Sequence, residues 1–91
     1  MTKYVKGRFT FFAPSRRKLK KYDVFYTKDN KYITSFGAIR KNGVPYEQFK
    51  DKIGRYSKYD HKDPKRKKSY YARHGKATPL SAKFFSHRFL W

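Results

Sequence analysis

Several kinds of residue are missing or scarce in this chain, and each absence excludes a class of structure or site. The 91 residues include no cysteine, which excludes disulfides and cysteine-ligated zinc sites. No apolar run approaches the roughly 20 residues that a membrane-spanning helix requires. Residues 1–8 contain no apolar secretory core, so we expect an intracellular protein, or one packaged in something assembled inside a cell.

Acidic residues are scarce as well. Six Asp and Glu stand against 25 Lys and Arg, which leaves a formal net charge of +19. A chain this basic repels itself when it is compact, so we expect a polyanionic or acidic partner. Aromatic residues nevertheless make up 21% of the chain, far more apolar surface than a disordered basic tail carries. The composition therefore predicts one small folded domain with a core of Phe and Tyr.

Side chains for catalysis or metal binding are sparse. The three histidines, His61, His74 and His87, stand among lysines and arginines that would repel a divalent ion. Asp60 and Asp63 form a close acidic pair, which we assign to helix capping and local charge balance. The glycines are dispersed, so no phosphate-cradling loop is recognisable. We predict no catalytic residue, no metal site and no cofactor, and hence a protein that is not an enzyme.

The N-terminal part is basic throughout, since residues 1–21 contain no acid. Its densest portion consists of Arg16, Arg17, Lys18, Lys20 and Lys21. Burying so many cations is costly, which predicts an extended, mobile basic arm over residues 1–21 and a folded domain over residues 22–91. Two uses of the arm stay open: binding a polyanion by counterion release, or solubilising the chain.

Aromatic and β-branched residues alternate with other residues in two runs that start at Tyr22 and Tyr32. The Asp29-Asn30 pair between these runs tolerates the left-handed backbone of a tight turn. We therefore predict a β-hairpin over residues 22–36, which Gly37 ends or bulges. The domain is predicted to be α+β, with this hairpin packed against one or two short C-terminal helices.

Two interpretations fit residues 38–54. Tyr46, Phe49 and Ile53 follow a helical spacing, which predicts a short helix over residues 46–53. Alternatively, residues 38–40 and 44–46 form a second hairpin around the Asn42-Gly43 turn.

Helix signals are clearest near the C-terminus. Asp63 is a good N-cap, Pro64 suits the first turn and Gly75 is a typical C-terminal stop, so residues 64–74 are predicted to be helical. Ser81 similarly predicts a terminal helix over residues 82–91.

Two sets of side chains on these helices are candidate binding groups. The predicted polyanion-binding cations of the first helix are Lys65, Arg66, Lys68 and Arg73. The predicted apolar anchors of the tail are Phe85, Phe89 and Trp91. Exposed rings at this density would form an apolar patch, so the anchors are expected to pack in the domain core or in the pocket of a partner.

Aromatic residues on strands beside cations also raise the possibility of a platform on which nucleic-acid bases stack. The chain lacks the consensus of the common RNA-binding modules, and we expect more of its rings in the core than on such a platform. Any nucleic-acid contact is then expected to be electrostatic, directed at phosphate and without sequence preference.

Six motifs occur in a recognisable order in the second half of the chain. They are Phe-Gly-Ala in residues 35–38, Tyr-Ser-x-Tyr and His-Lys-Asp in 54–63, the basic run 65–67, Arg-His at the end of 70–74, and Leu-Trp at the end of 86–91. The series resembles a family of small, basic, largely uncharacterised proteins of nucleocytoplasmic large DNA viruses. The resemblance covers about residues 20–91, with residues 39–53 as an insertion and no counterpart for the N-terminal arm.

That resemblance implies a structural component of the virion, made in the host cytoplasm or nucleus. The favoured expectation is a minor capsid protein that cements neighbouring major and minor capsid proteins, with the arm and the aromatic anchors making many small contacts. The alternative is a protein that condenses viral DNA by neutralising its phosphates. The resemblance implies no catalytic residue.

Overall fold

Within residues 2–91, which the computed structural model describes, four antiparallel strands form one sheet whose spatial order follows chain order. The strands are β1 (Thr2–Lys6), β2 (Phe9–Ala13), β3 (Lys20–Tyr26) and β4 (Tyr32–Ala38). Two helices follow the sheet. The domain is therefore α+β, as the sequence predicts, and its Cα radius of gyration of 12.7 Å is that of a folded domain of this size.

The hairpin predicted over residues 22–36 is confirmed, with β3 and β4 as its strands. Tyr22 lies opposite Phe36 in the register. Asn30 adopts a left-handed backbone with φ 58°, and its N–H donates to the carbonyl oxygen of Tyr26 at 2.9 Å. The alternation of residues in the two runs and the turn chemistry between them together located this pair of strands.

The arm predicted over residues 1–21 is wrong for the part that the structure describes. β1 pairs with β2, and β2 pairs with β3, so both strands belong to the sheet. Phe9, Phe11 and Ala13 alternate along β2 and are buried in the core. Burial of these side chains stabilises the strand, while Lys3 and the other cations of β1 stay exposed and need no burial.

The helix predicted over residues 46–53 is also wrong, and the alternative hairpin describes part of this segment. Ile39 and Pro45 form an isolated antiparallel bridge, and the N–H of Arg40 donates to the carbonyl oxygen of Val44 at 3.0 Å. The remainder is irregular up to a short 3₁₀ turn at Ser57–Tyr59.

Side-chain hydrogen bonds replace the helical ladder in that irregular segment. The buried Asp51 carboxylate accepts hydrogen bonds from the backbone N–H groups of Ile53, Gly54 and Tyr56. It also accepts from the hydroxyl of Tyr22, at 2.5 Å. These bonds satisfy the backbone polar groups of the segment without a helix or a strand. The helical spacing of its apolar residues therefore does not correspond to a helix.

Both predicted C-terminal helices are present. The first, α1 (Pro64–His74), begins after Asp63, whose carboxylate accepts from the N–H of Lys65 at 2.9 Å. It ends at Gly75, which has φ 63°. The second, α2 (Ala82–Phe89), begins after Ser81, whose hydroxyl accepts from the N–H of Phe84 at 3.2 Å, and it ends two residues before the predicted bound.

The aromatic core lies between α2 and one face of the sheet. Phe85 of α2 contacts Phe9 edge-on, with ring centroids 5.1 Å apart, and lies nearly parallel to Phe36 at 5.6 Å. Phe89 contacts Phe11 at 4.8 Å. α1 packs on α2 through contacts between tyrosine and histidine rings. This arrangement leaves the other face of the sheet for a different set of side chains.

Candidate functional site

A groove of about 500 Å³ runs between the two helices and the end of the sheet where β3 begins and β4 ends. A smaller depression of about 270 Å³ adjoins it, because the two share Arg66, Arg73 and Trp91 among their lining residues. Among residues 2–91, the lysines and arginines that line this continuous surface, which we call the basic groove, are the buried Lys21 and five others: Lys20, Lys65, Arg66, Arg73 and Lys83.

Helix α1 places its cations along one stripe. Arg66, Ser69 and Arg73 are spaced by three and four residues, which brings them to the same side of a helix. The Asp63 cap fixes where the helix begins and therefore which residues occupy that side. Lys20 reaches the groove from the start of β3, and Lys83 from the first turn of α2. The groove thus depends on tertiary packing of three segments.

The charge of the groove is nearly uncompensated. Glu47 is the one acid among the lining residues of the described chain, and it contacts Arg66 at 3.2 Å. Both side chains of this pair are about half exposed, so water screens their attraction and the pair is weak. Desolvation and the nearby charges of Lys83, Arg73 and His87 lower the pKa of His74. The groove is a region of positive potential.

One wall of the groove is aromatic. Trp91 stacks on Tyr70, with ring centroids 4.3 Å apart and planes only 5° from parallel. The Tyr70 hydroxyl lies 3.0 Å from Nδ1 of His87, and burial raises the pKa of Tyr70 to about 12. Trp91 itself remains partly exposed, so the wall can be reached from the groove.

The predicted apolar anchors pack within the domain. Phe85 and Phe89 belong to the core, and Leu90 beside them is buried as well. Trp91 packs against this core and forms part of the groove. Phe85 and Phe89 are therefore not free to enter the pocket of a partner.

The predicted binding residues of the arm do not lie together on one surface. Arg16, Arg17 and Lys18 are exposed in the loop between β2 and β3, and the first two line a different depression, described below. Lys20 lines the basic groove. On α1, Lys68 is exposed but does not line the groove, unlike the other three predicted cations of that helix.

The prediction that Lys21 binds a polyanionic or acidic partner is wrong. Lys21 is only 1% exposed, so its side chain cannot contact a partner. Its ammonium donates to the carbonyl oxygen of Tyr46 at 2.6 Å and to Oε1 of Gln48 at 2.5 Å. Its aliphatic stem covers Gly37, where an added Cβ would lie 2.8 Å from the Lys21 Cβ. Burial lowers the pKa of Lys21 to about 8.

Sequence reasoning missed Lys83 and Glu47 of the groove, and also the buried network that supports it. Gln48 bridges that network: its Nε2 donates to Asp60 at 2.6 Å and to the carbonyl oxygen of Tyr56 at 2.9 Å. The position of Lys83 just after the Ser81 cap was a usable signal, since it fixes Lys83 in the first turn of α2. Gln48 gave no local signal.

Among residues 2–91, no group of three histidine or acidic side chains comes together as a metal-binding set. Neither helix in that part of the chain has the length and apolar character that crossing a membrane requires. No family model, no curated protein and no solved structure matches the chain.

Proposed function

We propose that this protein is a non-enzymatic nucleic-acid-binding protein whose basic groove neutralises phosphates without reading sequence. One observation carries the proposal: cations from β3, α1 and α2 converge on a single groove in which Glu47 is the one acid among the described lining residues. Cations spread over a merely solubilising surface have no reason to converge in this way. A phosphate backbone is the partner whose charge and length fit such a groove.

The physical basis of this binding is counterion release. DNA carries condensed cations, and each phosphate that a Lys or Arg neutralises frees one of them. Arg66 and Arg73 offer planar guanidinium groups, which match the geometry of phosphate oxygens. A formal net charge of +19 adds long-range attraction to the same partner.

The engagement of the acidic side chains supports a role without catalysis. Asp51 accepts hydrogen bonds from three backbone N–H groups and from Tyr22, and Asp63 caps α1. Asp60 accepts from Gln48 and from the N–H of Asp51. Carboxylates that hold the backbone in place in this way are structural, because a general base needs a free oxygen facing substrate.

A minor capsid protein of a large DNA virus is the second candidate, resting on the resemblance of the sequence motifs. The cementing role was expected to use a free N-terminal arm and free aromatic anchors. In the structure, the strands of the arm and the anchor residues are part of the folded domain. What favours this candidate is β1, which pairs with β2 on one side and is an edge of the sheet on the other. Val5 on that strand is 54% exposed. Exposed edges of this kind can pair with strands of neighbouring capsid proteins.

Duplex DNA binding as a function of salt tests the proposal. We expect the affinity to fall steeply with salt and not to depend on sequence. The double variant Arg66→Gln with Arg73→Gln should lower the slope of log K against log salt by about 2, because each lost phosphate contact contributes about 0.9. Fluorescence anisotropy with labelled duplexes of two unrelated sequences gives both quantities.

The matched control removes the same charge from another surface. Lys6 and Lys28 are exposed and do not line the groove, so the pair Lys6→Gln with Lys28→Gln should leave most of the slope intact. Equal losses in the two double variants would show that net charge alone binds DNA. In that case the groove has no special role and the capsid candidate takes its place.

A further inference from the structure

Three aromatic rings form a row on the face of the sheet opposite the core. Phe12 follows the buried Phe11, and Phe25 follows the buried Val24, so both side chains point away from the core. The rings of Phe12 and Phe25 lie 5.4 Å apart, and those of Phe25 and Tyr32 lie 5.5 Å apart. We call these three residues the aromatic ladder. Tyr32 is 46% exposed.

The ladder lines a cleft with arginines at its rim. The cleft has a volume of about 370 Å³ and is lined by Phe12, Phe25, Asn30, Asp23 and Arg16. An adjoining depression of about 270 Å³ brings in Arg17 and Tyr32. Arg16 forms an ion pair with Asp23, with Nε 3.8 Å from Oδ2, but its side chain is 71% exposed and can still contact a ligand that enters the cleft.

Asp23 holds the arginine-bearing loop in place beside the ladder. Its carboxylate accepts from the hydroxyls of Ser15 and Ser35 and from the N–H of Arg16, the last at 3.0 Å. Burial alone would raise the pKa of Asp23, but these hydrogen bonds outweigh it and the pKa is lowered. The Tyr32 hydroxyl lies 2.8 Å from the Ser35 hydroxyl, which ties the ring to the same network. The site is organised before a ligand arrives.

We propose that the aromatic ladder stacks unpaired bases of single-stranded nucleic acid while Arg16 and Arg17 contact the flanking phosphates. This inference rests on the proposal that nucleic acid is the partner, but it uses a different face of the molecule and a different form of the ligand. Bases in a duplex are already stacked on each other, so only a single strand can offer a base to rings inside a cleft.

Charge complementarity favours a nucleic acid over an apolar peptide as the occupant. Arg16 already faces Asp23, but an apolar segment would supply no counter-charge to Arg17, whereas a single strand supplies a phosphate for every base. Stacking tolerates any base because each has an aromatic face, so little sequence preference is expected. The ladder thus adds a preference for strand form that the basic groove cannot provide.

The experiment compares three ligands by fluorescence anisotropy in the same buffer. They are a short oligothymidylate, an abasic deoxyribose-phosphate strand of equal length, and a DNA duplex. The intact protein should bind the oligothymidylate more tightly than the abasic strand by about 5- to 150-fold for each stacked base. Tyr32→Leu should lower that ratio by the contribution of one stacked base, about 5- to 150-fold, and leave duplex binding unchanged. Tyr32→Phe keeps the ring and should keep the ratio.

Phe25→Leu is a second variant with the same expected effect, read only if its thermal unfolding remains cooperative. Arg66→Gln with Arg73→Gln separates the two proposals, because it should weaken binding of duplex and abasic strand and leave the thymidylate-to-abasic ratio unchanged. A failure of duplex binding with the ratio intact would overturn the groove proposal and retain the ladder.

Two outcomes would overturn the ladder proposal. One is an equal affinity of the intact protein for the oligothymidylate and the abasic strand. The other is a ratio that Tyr32→Leu does not change. A self-association in sedimentation that Tyr32→Leu abolishes, together with either outcome, would instead assign the cleft to a second copy of the chain.

Discussion

At the scale of single residues, Lys21 shows how folding can place a charge away from water in a chain that has many other cations to expose. Its ammonium has two acceptors, Gln48 Oε1 and the carbonyl oxygen of Tyr46, which offset part of the cost of burial. The stem fills the space above Gly37, whose φ of 80° suits glycine alone. Lys21 therefore acts as a strut between β3, β4 and the irregular segment.

Burial of Lys21 predicts an unusual dependence of stability on pH. In the unfolded chain, Lys21 keeps its proton up to its ordinary pKa of 10.5. In the folded protein, Lys21 releases its proton near pH 8. Between these values the unfolded state binds more protons, so the stability should rise with pH. We expect a gain on the order of 2 kcal/mol in the free energy of unfolding between pH 8 and 10, measured with urea.

The variant Lys21→Met should abolish this rise, whatever it does to stability at pH 7. Lys28→Met, which removes the same charge from an exposed turn, should retain it. The measurement stops near pH 10 because burial raises the pKa of Tyr22. Above that pH an unfolded tyrosine ionises before a buried one does, so the stability falls again. Identical pH profiles in both variants would contradict this account.

At the scale of elements, α1 depends on its cap more than most helices do. Its first turn contains no acid and several cations, which is the unfavourable end of the helix dipole. Asp63→Ala should therefore cost about 0.5–2 kcal/mol in the free energy of unfolding, measured with urea. Asp63→Asn keeps an acceptor for the Lys65 N–H and should cost less. An equal cost in both variants would assign the effect to the charge of Asp63 and not to its hydrogen bond.

The elements that the sequence predicted correctly are those with local signals at both ends. Asp63 and Gly75 bound α1, Ser81 begins α2, and Asn30 occupies the turn between β3 and β4. The hairpin of β1 and β2 also had such a signal in Gly7, which has φ 61°. The density of cations around it outweighed that signal and predicted an arm instead.

The remaining parts of the fold and the site depend on residues far apart in sequence. Hydrogen bonds such as the one from the Tyr22 hydroxyl to Asp51 fix the irregular segment. The spacing of apolar residues along the sequence cannot predict a contact between residues so far apart in the chain. The groove likewise needs β3, α1 and α2 to be packed before its cations meet. Which rings form the ladder depended on the register of β2 and β3, which the sequence did not predict because it placed no strand before Tyr22.

At the scale of the whole molecule, the C-terminal residues hold the irregular segment against the core. The carbonyl oxygen of Leu90 accepts from the N–H of Lys50 at 3.0 Å, and that of Phe89 accepts from the N–H of Lys52 at 2.9 Å. The side chains of Phe89 and Leu90 are buried in the same core cluster as Phe85. Residues 89–91 therefore connect the core, the irregular segment and the groove wall.

Removing residues 89–91 should consequently abolish cooperative folding. Losing one large core side chain typically costs about 2–5 kcal/mol, and domains of this size have only about 5–15 kcal/mol of stability. The loss of Phe89 and Leu90 together, with both backbone hydrogen bonds, is of that order. Near-ultraviolet circular dichroism during heating should show a transition in the full chain and none in the truncated one. Deleting Trp91 alone keeps both buried side chains and should leave the transition in place at a lower temperature. A truncated chain that melts cooperatively but no longer binds nucleic acid would make this segment a docking element and not part of the core.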